Sequence, residues 1–184
     1  WLMNGTTRTG WVALGTVPLE WQLARAAARR ALPGYVDFNQ DGNADLIWQN
    51  TVTGERKIWL MNGTSKSSEV ALRTMPAEWQ IVGAMDFNAD GKTDVLWQHI
   101  DTGECGLWLM DGTSQIGWAA LETGPVGWTI AGVGDFNADG KPDLVWQSGA
   151  TGERKIWLMN GTTKSSEVAL RTLPIEWQIA GVGD

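Results

Sequence analysis

The nonapeptide Asp-Phe-Asn-x-Asp-Gly-x-x-Asp starts at Asp37, Asp86 and Asp135, 49 residues apart each time, and a fourth copy begins at Asp184. A chain with this period has to fold as an array of like units. Oxygen-bearing side chains at loop positions 1, 3, 5 and 9, with Gly at 6 for a sharp turn, form the hard-oxygen set that suits Ca²⁺ at six to eight ligands. The side chains are Asp37, Asn39, Asp41 and Asp45; Asp86, Asn88, Asp90 and Asp94; and Asp135, Asn137, Asp139 and Asp143. The backbone carbonyls of Asn43, Lys92 and Lys141 are natural donors at position seven. Asp, Asn and Gly also make good turns without any metal. Three copies of the same oxygen pattern favour three calcium sites over turn chemistry alone.

An EF-hand begins in the same way but needs a Glu at loop position 12 and a helix on either side. Position 12 here is Trp48, Trp97 or Trp146, inside short apolar runs such as Asp143-Leu144-Val145-Trp146 that read as strands. The loop therefore joins two strands.

Aligned on the loops, residues 1–184 form one repeat domain with units at 37–85, 86–134 and 135–183. Residues 1–36 hold the later part of a preceding unit, and the chain reads as a piece of a longer repeat protein. Each unit carries four strand signals, in the third 143–147, 155–159, 167–171 and 177–182. Turns separate them: the acidic loop, Thr151-Gly152-Glu153, Asn160-Gly161, and a link near Pro174. Four strands in about 49 residues, repeated, predict an all-β propeller, or a propeller segment, of four-stranded antiparallel blades. A parallel β-helix would have shorter coils and few hairpins.

Two features overlie this period. Units at 37 and 135 are nearly identical, whereas the other two carry Gly-Trp-x-Ala-Leu, so Trp11 and Trp118 stand where Glu69 and Glu167 stand elsewhere. Residues 23–36, rich in Ala and Arg, lengthen the first unit. They fit a surface helix stopped by Pro33-Gly34, an irregular excursion between blades, or an error in the deduced sequence.

The segment Val-Gly-Asp-Phe-Asn-x-Asp-Gly-x-x-Asp-Leu-Val-Trp at 133–146, with its copies, resembles the FG-GAP and VCBS repeat family, found in integrin α-subunits, fungal lectins and many secreted bacterial proteins. That resemblance implies a calcium-binding propeller, commonly seven-bladed, with the loop between the innermost strand and the next. It also implies an extracellular or cell-surface setting. It leaves function open, since the family spans adhesion modules, lectins and appendages of secreted enzymes.

The formal charge of −7 follows from nine loop carboxylates among 21, which three Ca²⁺ would nearly neutralise, and nothing suggests a nucleic-acid surface. No run approaches the ~20 apolar residues of a membrane span. One cysteine, Cys105, excludes an internal disulfide framework, and the lone His99 has no partner for a transition-metal site or a nucleophilic triad. The repeated turn residues Glu55, Glu104 and Glu153 suit structure better than catalysis. The chain reads as a non-enzyme.

Of 13 tryptophans, 11 recur at three strand positions and read as core between blades, which leaves Trp11 and Trp118 as candidates for ligand contact. Asn4, Asn62 and Asn160 each lie in Asn-Gly-Thr, at once a hairpin turn and an N-glycosylation acceptor. Asp111 keeps the turn and loses the acceptor. The leading functional expectation is a binding or adhesion module with a carbohydrate or protein ligand. The alternatives are a surface-layer or filament subunit that self-assembles through open blade edges, and a targeting appendage of a secreted hydrolase.

Overall fold

In the computed structural model the described residues are 36–183, together with the backbone of residues 2–4, 7–10 and 21–23. Trp11, Asp184, the side chain of Asn4 and almost all of the Ala- and Arg-rich stretch 23–36 lie outside them. The described elements are strands only. A two-stranded sheet pairs β1 (Leu2–Asn4) with β2 (Thr7–Gly10). Three four-stranded sheets follow, all with antiparallel pairing between neighbours.

The first blade is β3 (Trp21–Leu23), β4 (Leu46–Asn50), β5 (Arg56–Asn62) and β6 (Ser65–Leu72). The second is β7 (Trp79–Met85), β8 (Asp94–His99), β9 (Cys105–Asp111) and β10 (Ser114–Ala120). The third is β11 (Trp128–Gly134), β12 (Asp143–Ser148), β13 (Arg154–Asn160) and β14 (Thr163–Leu170). Strands lie in chain order within each sheet, and from β4 onward each connection is a hairpin or a short link to the next blade. The described sheets form an open, propeller-like array with the acidic loop between the first and second strands of each blade.

Successive blades pack face to face. One apolar core joins the first and second through Ile47, Ile58, Trp97, Trp108 and Met110, and another joins the second and third through Leu96, Leu107, Ile130, Trp146 and Trp157. The predicted core tryptophans meet in pairs across strands, with ring centroids 4.8 Å apart for Trp48 and Trp59, 4.4 Å for Trp97 and Trp108, and 4.6 Å for Trp146 and Trp157. Such tilted pairs add about 0.5–1.5 kcal/mol beyond their buried area. The inner strands β7 and β11 come close because Gly83 faces Val133: a Cβ at Gly83 would stand 2.6 Å from Val133 Cγ2. Gly132 meets Val182 in the same way, at 2.4 Å.

Buried polar staples tie each blade to the next. Gln49, Gln98 and Gln147, each following a tryptophan, accept the backbone N–H of Ile81, Ile130 and Ile179 of the following segment, all at 2.9 Å. Arg56, 1% exposed, donates to the Trp79 carbonyl at 2.6 Å and stacks over the Trp97 ring. Burial lowers its pKa to about 10, so it remains a cation at neutral pH. Arg154 reaches the Trp177 carbonyl in the same way. Cys105 stands in this place in the second blade, and there the amide of Gln98 takes over, donating to the Trp128 carbonyl at 2.7 Å. Cys105 is buried and its thiol is pushed up to about 12, which makes it inert.

The alternation of blade types has a steric basis. Trp59 and Trp157 donate to Glu69 and Glu167, which also pair with Lys57 and Lys155. In the second blade the lysine becomes Gly106 and the glutamate Trp118, whose indole covers the glycine. A Cβ at Gly106 would lie 2.1 Å from Trp118 Cζ2. The Lys-Glu pair and the Gly-Trp pair are therefore two complete solutions, and mixtures clash or leave a gap.

The sequence reading needs correction at three places. The outer strand of the third blade runs Thr163–Leu170 where 167–171 was expected, because the ladder with β13 continues to the hairpin at Asn160 and Thr163. Residues 177–182, expected as a strand, carry no strand assignment, since the partner that β8 and β12 provide for β7 and β11 has no counterpart beside them. The Asn-Gly turns also sit one residue later than expected. Asn62, Asp111 and Asn160 are the last paired residues of their strands, and the two-residue loops are Gly63-Thr64, Gly112-Thr113 and Gly161-Thr162. Only the glycine of each has positive φ, 58°, 61° and 62°, the requirement of a type II′ turn, whereas type I′ needs it at both central residues.

Two outcomes follow. Gln98→Met keeps the volume and strips partners from the Ile130 N–H and the Trp128 carbonyl, and should cost about 2–4 kcal/mol in urea unfolding. Gly106→Lys and Trp118→Glu should each destabilise by about 1–2 kcal/mol. The double variant should cost at least ~0.5 kcal/mol less than their sum, because it rebuilds the pair of the first and third blades.

Candidate metal centre

The three acidic loops have one geometry. In the first, the Asp41 backbone N–H donates to Asp37 Oδ1 at 3.2 Å and to Asn39 Oδ1 at 3.3 Å, and the Gly42 N–H donates to Asp37 Oδ2 at 2.9 Å. Asn39 Nδ2 donates to Asp41 Oδ2 at 2.9 Å. The same contacts recur with Asp86, Asn88 and Asp90, and with Asp135, Asn137 and Asp139. The loop thus gathers its first, third and fifth side chains around one short run of backbone. The glycine at position six has φ of 85°, 86° or 85°, a region closed to most L-residues, and this reversal lets the chain coil inward.

Position nine plays a second role. Asp45, Asp94 and Asp143 are buried, and each carboxylate accepts two backbone N–H groups, one from its own loop and one from the third strand of its blade. For Asp94 these are Phe87 at 3.1 Å and Met110 at 3.0 Å. Asp45 takes Phe38 and Met61, and Asp143 takes Phe136 and Met159. Burial first, then the nearby charges of Asp90 and Asp86, push Asp94 up to about 6. Asp45 and Asp143 are raised for the same reasons. No described cation forms an ion pair with any of the three.

At position seven the side chains reach the hairpin tip of their own blade, and Asn43 also donates back to Asp41 Oδ1 at 3.0 Å. Asn43 Oδ1 accepts the Gly63 N–H at 3.2 Å, Lys92 pairs with Asp111 at 2.8 Å, and Lys141 donates to Asn160 Oδ1 at 2.7 Å. Adjacent loops also touch: Gln40 donates to the Gly91 carbonyl at 2.9 Å and Thr93 to the Asp37 carbonyl at 3.3 Å.

A family model for the FG-GAP-like repeat matches residues 37–97 and 86–146, each stretch running from one acidic loop through the strand after the next. The chain belongs to the FG-GAP-like repeat family. FG-GAP repeats are in general structural or binding modules and occur in extracellular and surface proteins. No curated protein and no solved structure matches the chain.

For a divalent metal the donor chemistry of these FG-GAP-like loops fits: every side chain gathered is a hard oxygen donor, and the carboxylates repel one another without a cation. Among the described residues no three Asp, Glu, His or Cys side chains alone make a metal-holding group. A set of six to eight oxygens would need the asparagine side chain and backbone carbonyls as well.

The other candidate residues fall into place. Trp118 is 43% exposed and meets the half-buried Trp79 edge to face at 5.7 Å. His99 caps the following turn, its Nδ1 accepting the N–H groups of Asp101 and Thr102, as Asn50 Oδ1 accepts those of Val52 and Thr53. Glu55 and Glu153 accept the hydroxyls of Thr53 and Thr151 inside the same turns. Asn62 and Asn160 are exposed at hairpin tips. No helix among the described residues is long and apolar enough to cross a membrane. Sequence reasoning missed the Gln and Arg staples. Their signal was the Gln after each of Trp48, Trp97 and Trp146.

Asp94→Ala should destabilise the protein by about 2–4 kcal/mol even in excess chelator, because two buried N–H groups lose their acceptor. Asp90→Asn, on the exposed side of the loop, should change stability in chelator by less than ~0.5 kcal/mol. Chemical denaturation in EDTA separates the two.

Proposed function

We propose that the chain is an extracellular, calcium-stabilised propeller module that binds a ligand without catalysis. The observation that carries this reading is the threefold recurrence of one acidic loop whose carboxylates make no direct ion pair with a described cation. The first-, third- and fifth-position side chains, the carbonyl at position seven and a remaining lone pair of the buried ninth-position Asp would hold the ion. Its charge would offset the repulsion among the three carboxylates of each loop.

An ion bound only by the folded state stabilises by RT ln(1 + [Ca²⁺]/Kd), about 2.7 kcal/mol per site at a hundredfold excess. The melting temperature should therefore rise with Ca²⁺ and fall with EDTA, read by calorimetry. Equal melting in both conditions refutes the metal assignment. The use of His99 as a turn cap, and of Glu55 and Glu153 as turn acceptors, supports a non-catalytic role. For the ligand, the exposed Trp118 set against Trp79 favours a partner with an apolar face such as a sugar ring. A glycan array probed with the protein and with Trp118→Ala tests it, with loss of binding in the variant expected.

A second reading rests on the far face of the third blade. Val168, Leu170, Leu173, Ile175 and Trp177 are exposed there, whereas Leu121, the counterpart of Leu170, is buried by the next blade. Phe136 is 41% exposed, against 2% for Phe38 and Phe87, beside a cleft of about 440 Å³ between the second and third loops. This face suits a further four-stranded blade, from the same or another chain. Light scattering that gives a single monomeric species removes the self-assembly reading.

A further inference from the structure

Asn62 and Asn160 occupy the same hexapeptide, Trp-Leu-Met-Asn-Gly-Thr, and the same position at the end of the third strand of a blade. The asparagine pairs with Ser65 in one hairpin and Thr163 in the other, and the Gly161 tip lies against the Phe87 carbonyl, but the difference that bears on the amide itself is the seventh residue of the acidic loop. Beside Asn62 that residue is Asn43, whose Oδ1 holds the Gly63 N–H at 3.2 Å. Beside Asn160 it is Lys141, whose ammonium donates to Asn160 Oδ1 at 2.7 Å. The Gly161 N–H has no hydrogen-bond partner among the described residues. In the second blade the corresponding residue is already a carboxylate, Asp111, paired with Lys92 at 2.8 Å.

We propose that Asn160 is a site of self-catalysed deamidation promoted by Lys141. The Gly161 amide nitrogen, after losing its proton to solvent base, attacks Asn160 Cγ. The new C–N bond closes a succinimide ring, and the bond from Cγ to Nδ2 breaks, releasing ammonia once Nδ2 has taken up a proton from water. Water then adds to one of the two ring carbonyls and opens the ring, giving aspartate or isoaspartate at position 160. Attack on Cγ drives negative charge onto Oδ1, where the Lys141 ammonium already donates a hydrogen bond, so the tetrahedral intermediate is stabilised more than the starting amide. Glycine at 161 offers no side chain to block the approach, and the exposed Asn160 beside the half-buried Gly161 admits water and hydroxide. Asn62 has the glycine and the exposure but no ammonium at its Oδ1, and its attacking nitrogen is engaged as a donor to Asn43. The aspartate product gains a charged partner in Lys141, reproducing the Lys92 and Asp111 pair of the second blade.

The test is peptide mass spectrometry of the folded protein incubated at mildly alkaline pH. Asn160 should convert about tenfold faster than Asn62, less than the ~100-fold or more that one donor contributes in a water-excluded site, because solvent screens the exposed Asn160. Lys141→Asn should bring Asn160 down to the rate of Asn62, and Asn43→Lys should raise Asn62 to the rate of Asn160. Both side chains already occur at this loop position, so both variants should fold. In concentrated urea the two sites should react alike. Equal rates in the folded protein, an unchanged rate in Lys141→Asn, or a glycan on Asn160 overturns the proposal. None of these outcomes depends on whether the loops bind calcium.

Discussion

One buried carboxylate per blade organises everything around it. Asp45, Asp94 and Asp143 each accept an N–H from the loop that precedes them and another from a strand 16 residues further on. They thereby lock the loop, the second strand and the third strand into one unit. An ionised group in this place is costly to bury, and its two charge-assisted hydrogen bonds offset that cost only if the loop keeps its shape. The loop in turn keeps its shape because Asp37, Asp86 and Asp135 hold the backbone of the sharp turn. The fold and the candidate metal centre are therefore one construction, in which the ninth-position residue belongs to both.

Between blades the constraint is different. Apolar packing supplies most of the contact, but it is non-directional and would tolerate sliding of one sheet over the next. The Gln and Arg staples supply the direction, since each satisfies a backbone group of the following inner strand that would otherwise be buried without a partner. The substitution of Cys105 for arginine shows how the chain keeps this account closed: Gln98 uses both ends of its amide, one for the Ile130 N–H and one for the Trp128 carbonyl. The Gly106 and Trp118 pair follows the same logic for shape, where one small and one large residue replace two of medium size.

The blades themselves were legible before any coordinates. The acidic loops mark where the first strand meets the second, and the apolar runs between turn signals mark the other strands. Strand ends were less legible, as the early start at Thr163 shows, because a hairpin ladder extends through polar residues that no apolar pattern marks. The turn at Asn62 was placed one residue early for a related reason: Asn-Gly favours a reversal, but the pairing of Asn62 with Ser65 decides which two residues form it. Among the tryptophans, regular recurrence identified the core pairs, yet Trp177 is 64% exposed, since burial at that position depends on a neighbouring sheet.

The amino-acid sequence by itself determined the repeat length, the strand count per blade and the composition of each acidic loop, all of which are local and recur in register. Only the tertiary structure decided that the ninth-position carboxylate faces backbone N–H groups, that Gln98 compensates for Cys105, and that identical Asn-Gly-Thr tips have unlike neighbours. Those relations join residues 16 to 32 positions apart across strands and blades. Pairing of that kind is set by sheet register and by the approach of one blade to the next, which no local pattern of residues encodes.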